Sequence, residues 1–173
     1  STLKPAFDKH SGKGTLTAGN STNLSDGASV ALLSSEQWAA DNNKEIQAYL
    51  VDAQVAAVDF VGGDGLLMAP AWAVAQLLKR NNLSLQDFDF YEIHEAFAAQ
   101  VLCTLKAWES EEFCKEKLGM DAALGSIDRS KLNVVGSSLA LGHPFAATGA
   151  RIVATAAKLL KEKGQGRVLI SIC

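Results

Sequence analysis

Apolar residues along the chain follow two periods. In residues 70–79 they recur at Ala71, Val74, Ala75 and Leu78, the one-sided spacing of a helix. Residues 95–108 and 144–161 read as further helices, the second being the longest and stopped by Gly164 and Gly166. Ser34 or Ser35 caps a short helix reaching Asn42, with Glu36 and Asp41 on its outer side. Elsewhere the apolar residues run on without that spacing. Residues 28–33 read as a strand buried on both faces, and the β-branched run 46–58 as a long strand. Residues 88–93 and 167–173 complete the set of strands. Residues 1–25 read as loop and turn carrying Lys4, Lys9 and Lys13, and Gly62-Gly63-Asp64-Gly65 breaks the chain as a turn. Strands alternating with helices predict a layered α/β domain with a largely covered sheet. The segment 109–131 departs from that alternation, and its charged residues 109–118 predict an exposed amphipathic helix.

Composition narrows the class. The 173 residues suit one domain with a sizeable core, and 48% hydrophobic content excludes disorder. A net charge of −3 argues against a nucleic-acid or anionic-membrane partner. No apolar run approaches the roughly 20 residues that span a bilayer. The first residues lack the basic-then-apolar design of a secretory signal, and the chain is expected to begin inside a longer protein. Three cysteines, an odd number without CxxC spacing, suit a reducing compartment. The expected location is cytoplasmic, or mitochondrial or peroxisomal in a eukaryote.

Chemistry concentrates at three positions. In Gly142-His143-Pro144 a histidine sits on a glycine hinge, directly before a proline suited to the first helical position. The positive end of the helix dipole disfavours the imidazolium there, and a neutral imidazole is what a general base requires. His94 and Cys173 stand at the carboxyl ends of predicted strands, where ligands bind in open α/β sheets. Each also has a bland reading: a turn-capping histidine, a satisfied core histidine and a strand-end thiol. Cys103, in an apolar stretch, reads as a small buried hydrophobe, and Cys114 as incidental on the charged helix. The glycines from Gly142 to Gly149 lack the Gly-Lys-Ser/Thr ending of a phosphate loop.

Taken in order, four segments resemble the C-terminal half of a thiolase: the polar loop 14–28, His94-Glu95-Ala96-Phe97-Ala98-Ala99-Gln100, the Asn133–Arg151 stretch around His143, and the final run ending at Cys173. The resemblance implies one half of the five-layer thiolase fold, a three-layer α/β/α domain with a mixed sheet over residues 1–173, with an insertion at about 109–131. His94 stands where many thiolases have asparagine. With the insertion, this resembles the β-oxidation thiolases of the trifunctional-complex β-subunit type.

By the same resemblance, His143 activates a nucleophilic cysteine and donates to the thioester oxygen. Cys173 shuttles a proton to and from the substrate α-carbon, and His94 serves an oxyanion hole. Glu95 supports its neighbours. Thr22, Ala96 and Phe97 contact the pantetheine arm of coenzyme A, which is a substrate; no covalently held cofactor and no metal is expected. The implied activity is cleavage of 3-ketoacyl-CoA to acyl-CoA plus acetyl-CoA, or the reverse Claisen condensation. The acylated cysteine belongs to the family's N-terminal half, so the 173 residues alone are expected to be inactive. Implied partners are CoA and acyl-CoA, a second copy or three in a homodimer or homotetramer, and a β-oxidation complex. The alternative is a non-catalytic acyl-CoA-binding or assembly module, with 109–131 either docking a partner or simply solvated. A ketoacyl synthase is disfavoured, because it would leave Cys173 without a role.

Overall fold

A computed structural model describes residues 2–173; Ser1, expected within the leading loop, lies outside the described residues. Among the described residues six α-helices and two strands follow in the order α1 (Glu36–Asp41), α2 (Ala69–Asn81), β1 (Phe90–Ile93), α3 (Ala98–Glu109), α4 (Glu111–Glu116), α5 (Ser138–Leu141), α6 (Phe145–Lys163) and β2 (Val168–Ser171), with short 3-10 turns at Ala18–Asn20 and Arg129–Lys131. Of the two serines offered as a cap for α1, Ser35 takes the role, accepting from the Trp38 N–H at 3.2 Å.

β1 and β2 pair in parallel, with Tyr91 beside Leu169 and Ile93 beside Ser171. Their side chains sort to two faces, as the pleat requires. Tyr91, Ile93 and Leu169 join the main core with Ala71, Val74 and Leu78 of α2 and Val101, Leu105 and Trp108 of α3. The amphipathic α6 packs on both strands and buries its own stripe, Ala147, Thr148, Ile152, Ala156 and Leu159. Helices therefore cover the sheet on both faces, which is the expected α/β/α order. The ladder that forms is parallel, and antiparallel pairing among the described residues is confined to isolated bridges, Pro5–Thr17 and Ser21–Phe97.

Two expected strands do not form. Residues 28–33 and 46–58 carry no ladder, and Val30, Leu50, Val51 and Val55 are exposed. β-branched composition favours an extended backbone, but a strand also needs a neighbour with free N–H and C=O groups in register. Among the described residues neither run has one. The run 46–58 is held through polar groups instead: Asp52 accepts from Arg80 Nε at 2.9 Å and from Nη2 at 2.8 Å on α2.

Within the segment 109–131 the exposed amphipathic helix expected over 109–118 forms as α4, with Glu111, Glu112, Lys115 and Glu116 exposed. α4 is a short helix whose inner side enters the core. Phe113 meets the Trp72 ring edge-on at 5.2 Å, and Ile127 is buried. Cys114, expected to be incidental, is fully buried, its thiol donating to the Ala107 and Trp108 carbonyls at 3.5 Å. Cys103, expected to be buried, is exposed. The phase of α3 decides this. Gln100, Val101, Thr104, Leu105, Ala107 and Trp108 take the inner stripe, which leaves 102 and 103 outside.

Candidate active site at the carboxyl end of the strands

His94 is the first residue past β1, and its N–H donates to the Ser171 carbonyl at 2.9 Å, so the ends of both strands hold it. The ring is buried, with Nδ1 2.9 Å from Ser138 Oγ. Asn133 fixes the strand end: its Oδ1 accepts from Ile93 N–H, and its Nδ2 donates to the Ile93 carbonyl, both at 2.9 Å. The same Nδ2 donates to Glu95 Oε1 at 2.7 Å, and Glu95 Oε2 accepts from Leu139 N–H at 3.1 Å. Glu95 thus ties β1, the Asn133 turn and α5 together and presents no free carboxylate oxygen.

His143 arrives from the other side. Gly142 has φ +88°, and a Cβ there would collide with the Ser25 side chain. That turn places the His143 ring 4.2 Å from the His94 ring, inclined at 52°, and 4.6 Å from the Phe145 ring. Pro144 is the cap of α6 and not its first helical residue, so His143 stands one residue further from the helix than expected. Its pKa is nevertheless lowered, first by burial and then by the Arg151 charge, so no helix dipole is required. Burial, with His143 and Arg151 adding to it, takes His94 down to about 4. Both rings are neutral at pH 7.

His143 Nδ1 lies 2.6 Å from Thr148 Oγ1, which is also 3.3 Å from the Pro144 carbonyl. A Thr148 hydroxyl that donates to that carbonyl accepts from Nδ1, and the tautomer with its proton on Nδ1 keeps the lone pair on Nε2, the arrangement of a base.

Cys173 lies two residues past β2, at the same end of the sheet as His94. Its thiol donates to Gln100 Oε1 at 3.7 Å. Burial of the sulfur raises its pKa, opposed by backbone N–H groups of Cys173 and Ala96, although the residue as a whole keeps exposed surface. The thiol is therefore protonated at rest and can give up a proton.

The expected pantetheine contacts form one wall. Thr22 N–H donates to the Ala96 carbonyl at 3.0 Å, and Ser21 bridges Phe97. The Thr22 hydroxyl donates to the Ser138 carbonyl at 2.9 Å, so towards a ligand it can only accept. Phe97 stacks edge-on with Phe7 at 5.7 Å. A cleft of about 410 Å³ opens beside the histidine turn, lined by Leu24, Ser25, Asp26, His143 and Phe145.

Sequence reasoning missed Ser138, Thr148, Arg151 and Glu92. Glu92 is 1% exposed on β1, its carboxyl pushed up to about 7 by burial, with Arg151 opposing and Glu95 adding. A visible signal existed: a carboxylate inside the apolar Phe90-Tyr91-Glu92-Ile93, and an arginine flanking the buried face of α6. Charge at a core position demands a partner or a pKa shift.

Solved structures with this architecture are thiolases. The acetyl-CoA acetyltransferase of Bacillus anthracis superposes with a TM-score of 0.77 at 38% identity, over 99% of this chain and 38% of its own. Human mitochondrial 3-ketoacyl-CoA thiolase in complex with CoA gives 0.76 at 30% identity, over 99% and 38%. The dimeric peroxisomal thiolase of Saccharomyces cerevisiae gives 0.74 at 34%, over the same shares. The domain is thus a thiolase-fold α/β/α half. Residues 44–173 match the family described as thiolase, C-terminal domain, and residues 1–37 match thiolase, N-terminal domain. The chain belongs to the thiolase family. A 3-ketoacyl-CoA thiolase of Shewanella loihica is 46% identical over 172 residues, which is 99% of this chain and 38% of that relative.

Proposed function

We propose that the chain is the C-terminal part of a CoA-dependent thiolase that cleaves 3-ketoacyl-CoA to acyl-CoA and acetyl-CoA, and in reverse condenses two acyl-CoA molecules. One observation carries this reading. Two histidines from separate motifs meet ring to ring at 4.2 Å, beyond the strand ends where Cys173 also lies. In this reading His143 Nε2 takes the proton of a nucleophilic cysteine outside the 173 residues, which then accepts the acyl group. His94 donates to developing negative charge, and the Cys173 thiol gives a proton to the α-carbon of the departing acetyl-CoA; the thiol of free CoA then returns that proton to Cys173 and takes the acyl group from the nucleophilic cysteine, closing a ping-pong cycle. Thr22, Ala96 and Phe97 border the pantetheine path, and the human structure holding CoA supports coenzyme A as the substrate.

The dimeric yeast relative supports a dimer or dimer of dimers for the whole protein. Docking on a β-oxidation complex would use the outer side of 109–131, since the core consumes Phe113, Cys114 and Ile127. The proposed location is the cytoplasm, or the mitochondrion or peroxisome in a eukaryote, where the three thiols stay reduced.

The test is CoA-dependent cleavage of short and long 3-ketoacyl-CoA by the full-length protein and its Cys173→Ala variant. Activity that falls by about two orders of magnitude or more in the variant supports the reading. A full-length protein that binds CoA without cleaving overturns it.

A further inference from the structure

We infer that Ser138 and Arg151 are positioning residues that hold His94 in the tautomer with its proton on Nε2, opposite to that of His143. The inference deepens the reading above and rests on it only for what the donor is used for. A guanidinium donates and never accepts, so Arg151 Nη2, 3.0 Å from Ser138 Oγ, makes that oxygen an acceptor. The serine proton then has one other partner among the described residues, His94 Nδ1 at 2.9 Å. Donation to Nδ1 gives that buried serine proton a partner, and the neutral ring then carries its own hydrogen on Nε2. That nitrogen is fully buried and has no hydrogen-bond partner among the described residues. A buried N–H left unpaired costs free energy unless something reaches it, which fits a donor kept for a reacting oxygen.

The contrast with the ring beside it gives the arrangement meaning. His143 and His94 are alike in chemistry and adjacent in space, yet a base and a donor are needed. In each case a hydroxyl whose own bonding is fixed by a third group decides. Thr148, donating to the Pro144 carbonyl, accepts from His143 Nδ1. Ser138 accepts from Arg151 and donates to His94 Nδ1. The arginine sets the histidine's tautomer through the serine, while its charge also disfavours the imidazolium.

The test is the two-bond proton–nitrogen correlation spectrum of the full-length protein labelled with ¹⁵N-histidine, in which His94→Asn identifies the His94 signals by their loss. The expected wild-type pattern at neutral pH is an unprotonated Nδ1 and a protonated Nε2 for His94, and the reverse for His143. In Ser138→Ala both His94 nitrogens should move towards intermediate values, and Ser138→Thr, which keeps the hydroxyl, should restore the pattern. Arg151→Met should also mix the tautomers and Arg151→Lys should not, which keeps a test available if Ser138→Ala does not fold. Alongside, kcat should fall at least about tenfold in Ser138→Ala with KM little changed. A wild-type His94 protonated on Nδ1, or an unchanged pattern in both Ser138→Ala and Arg151→Met, overturns the inference. The spectrum needs no turnover, so an inactive protein with the expected tautomers would sink the proposed function and leave this assignment standing.

Discussion

Glu92 and His94, two residues apart and both buried, should impose opposite pH dependences on stability that cancel in the wild type and separate in variants. An unfolded histidine titrates near 6.5, whereas folded His94 titrates at about 4. Between those values the unfolded chain holds the extra proton, so acidification through this window removes stability. Glu92 runs the other way, from 4.5 when unfolded to about 7 when folded. Here the native state holds the extra proton, and stability falls as pH rises from 4.5 to about 7. Each displacement is worth about 3 kcal/mol at about 1.4 kcal/mol per pH unit. Neither group contributes to the other's displacement, which comes from burial, Arg151, His143 and Glu95. Across pH 4.5 to 6.5 the two slopes offset each other. Glu92→Gln leaves the histidine alone: relative to wild type, its unfolding free energy should drop by about 3 kcal/mol as pH falls through the overlap. His94→Asn should show a drop of similar size as pH rises through the same window. Urea unfolding of the full-length protein at fixed concentration, followed by tryptophan fluorescence, reads both, and the difference from wild type removes groups common to all three proteins. Asp87 and Asp89, held low by backbone N–H groups, titrate below this window. If Glu92→Gln follows the wild type at every pH, the burial argument for the pair is wrong.

Two further outcomes follow from the turn and the cysteines. Gly142→Ala forces a side chain into φ +88° and against Ser25, which should cost about 1–2 kcal/mol and displace His143. A lower melting temperature and kcat in the full-length protein, partly recovered on adding Ser25→Gly, would bear this out, and an unchanged kcat would refute it. With a thiol reagent on the native full-length protein, Cys103→Ser should remove a reactive thiol, because that side chain is exposed. Cys114→Ser should remove none until the protein is unfolded.

What the sequence disclosed depended on whether a signal is local. Caps, glycine turns and helix stripes are decided within a few residues, and Ser35, Gly142, the face of α2 and the stop of α6 at Gly164 came out where expected. Strand existence is decided at a distance. In residues 51–58 exposure does alternate, as a strand's would, but it turns Asp52 and Gln54 inward and Val51 and Val55 outward. Arg80 bonds both polar side chains from α2, a contact that no periodicity encodes. Cys103 and Cys114 were exchanged for a related reason. Apolar neighbours in sequence say little about which side of a helix faces in, and a charged helix can still bury one stripe.

The site divides along the same line. His94, His143 and Cys173 stand at element ends beside glycine, proline or a strand terminus, and such punctuation is legible without a structure. Ser138, Thr148 and Arg151 act on the two histidines through hydrogen bonds or charge, by side-chain contacts that no periodicity encodes. Yet they determine whether each imidazole is a base or a donor, since an isolated histidine has no preference strong enough to secure either role. A motif therefore names the groups that can move protons, while the protonation state that makes each useful is a property of the packed neighbours. For this chain that means two residues flanking His143, Ser138 and Arg151, whose contacts are visible only once α5, α6 and β1 are seen side by side.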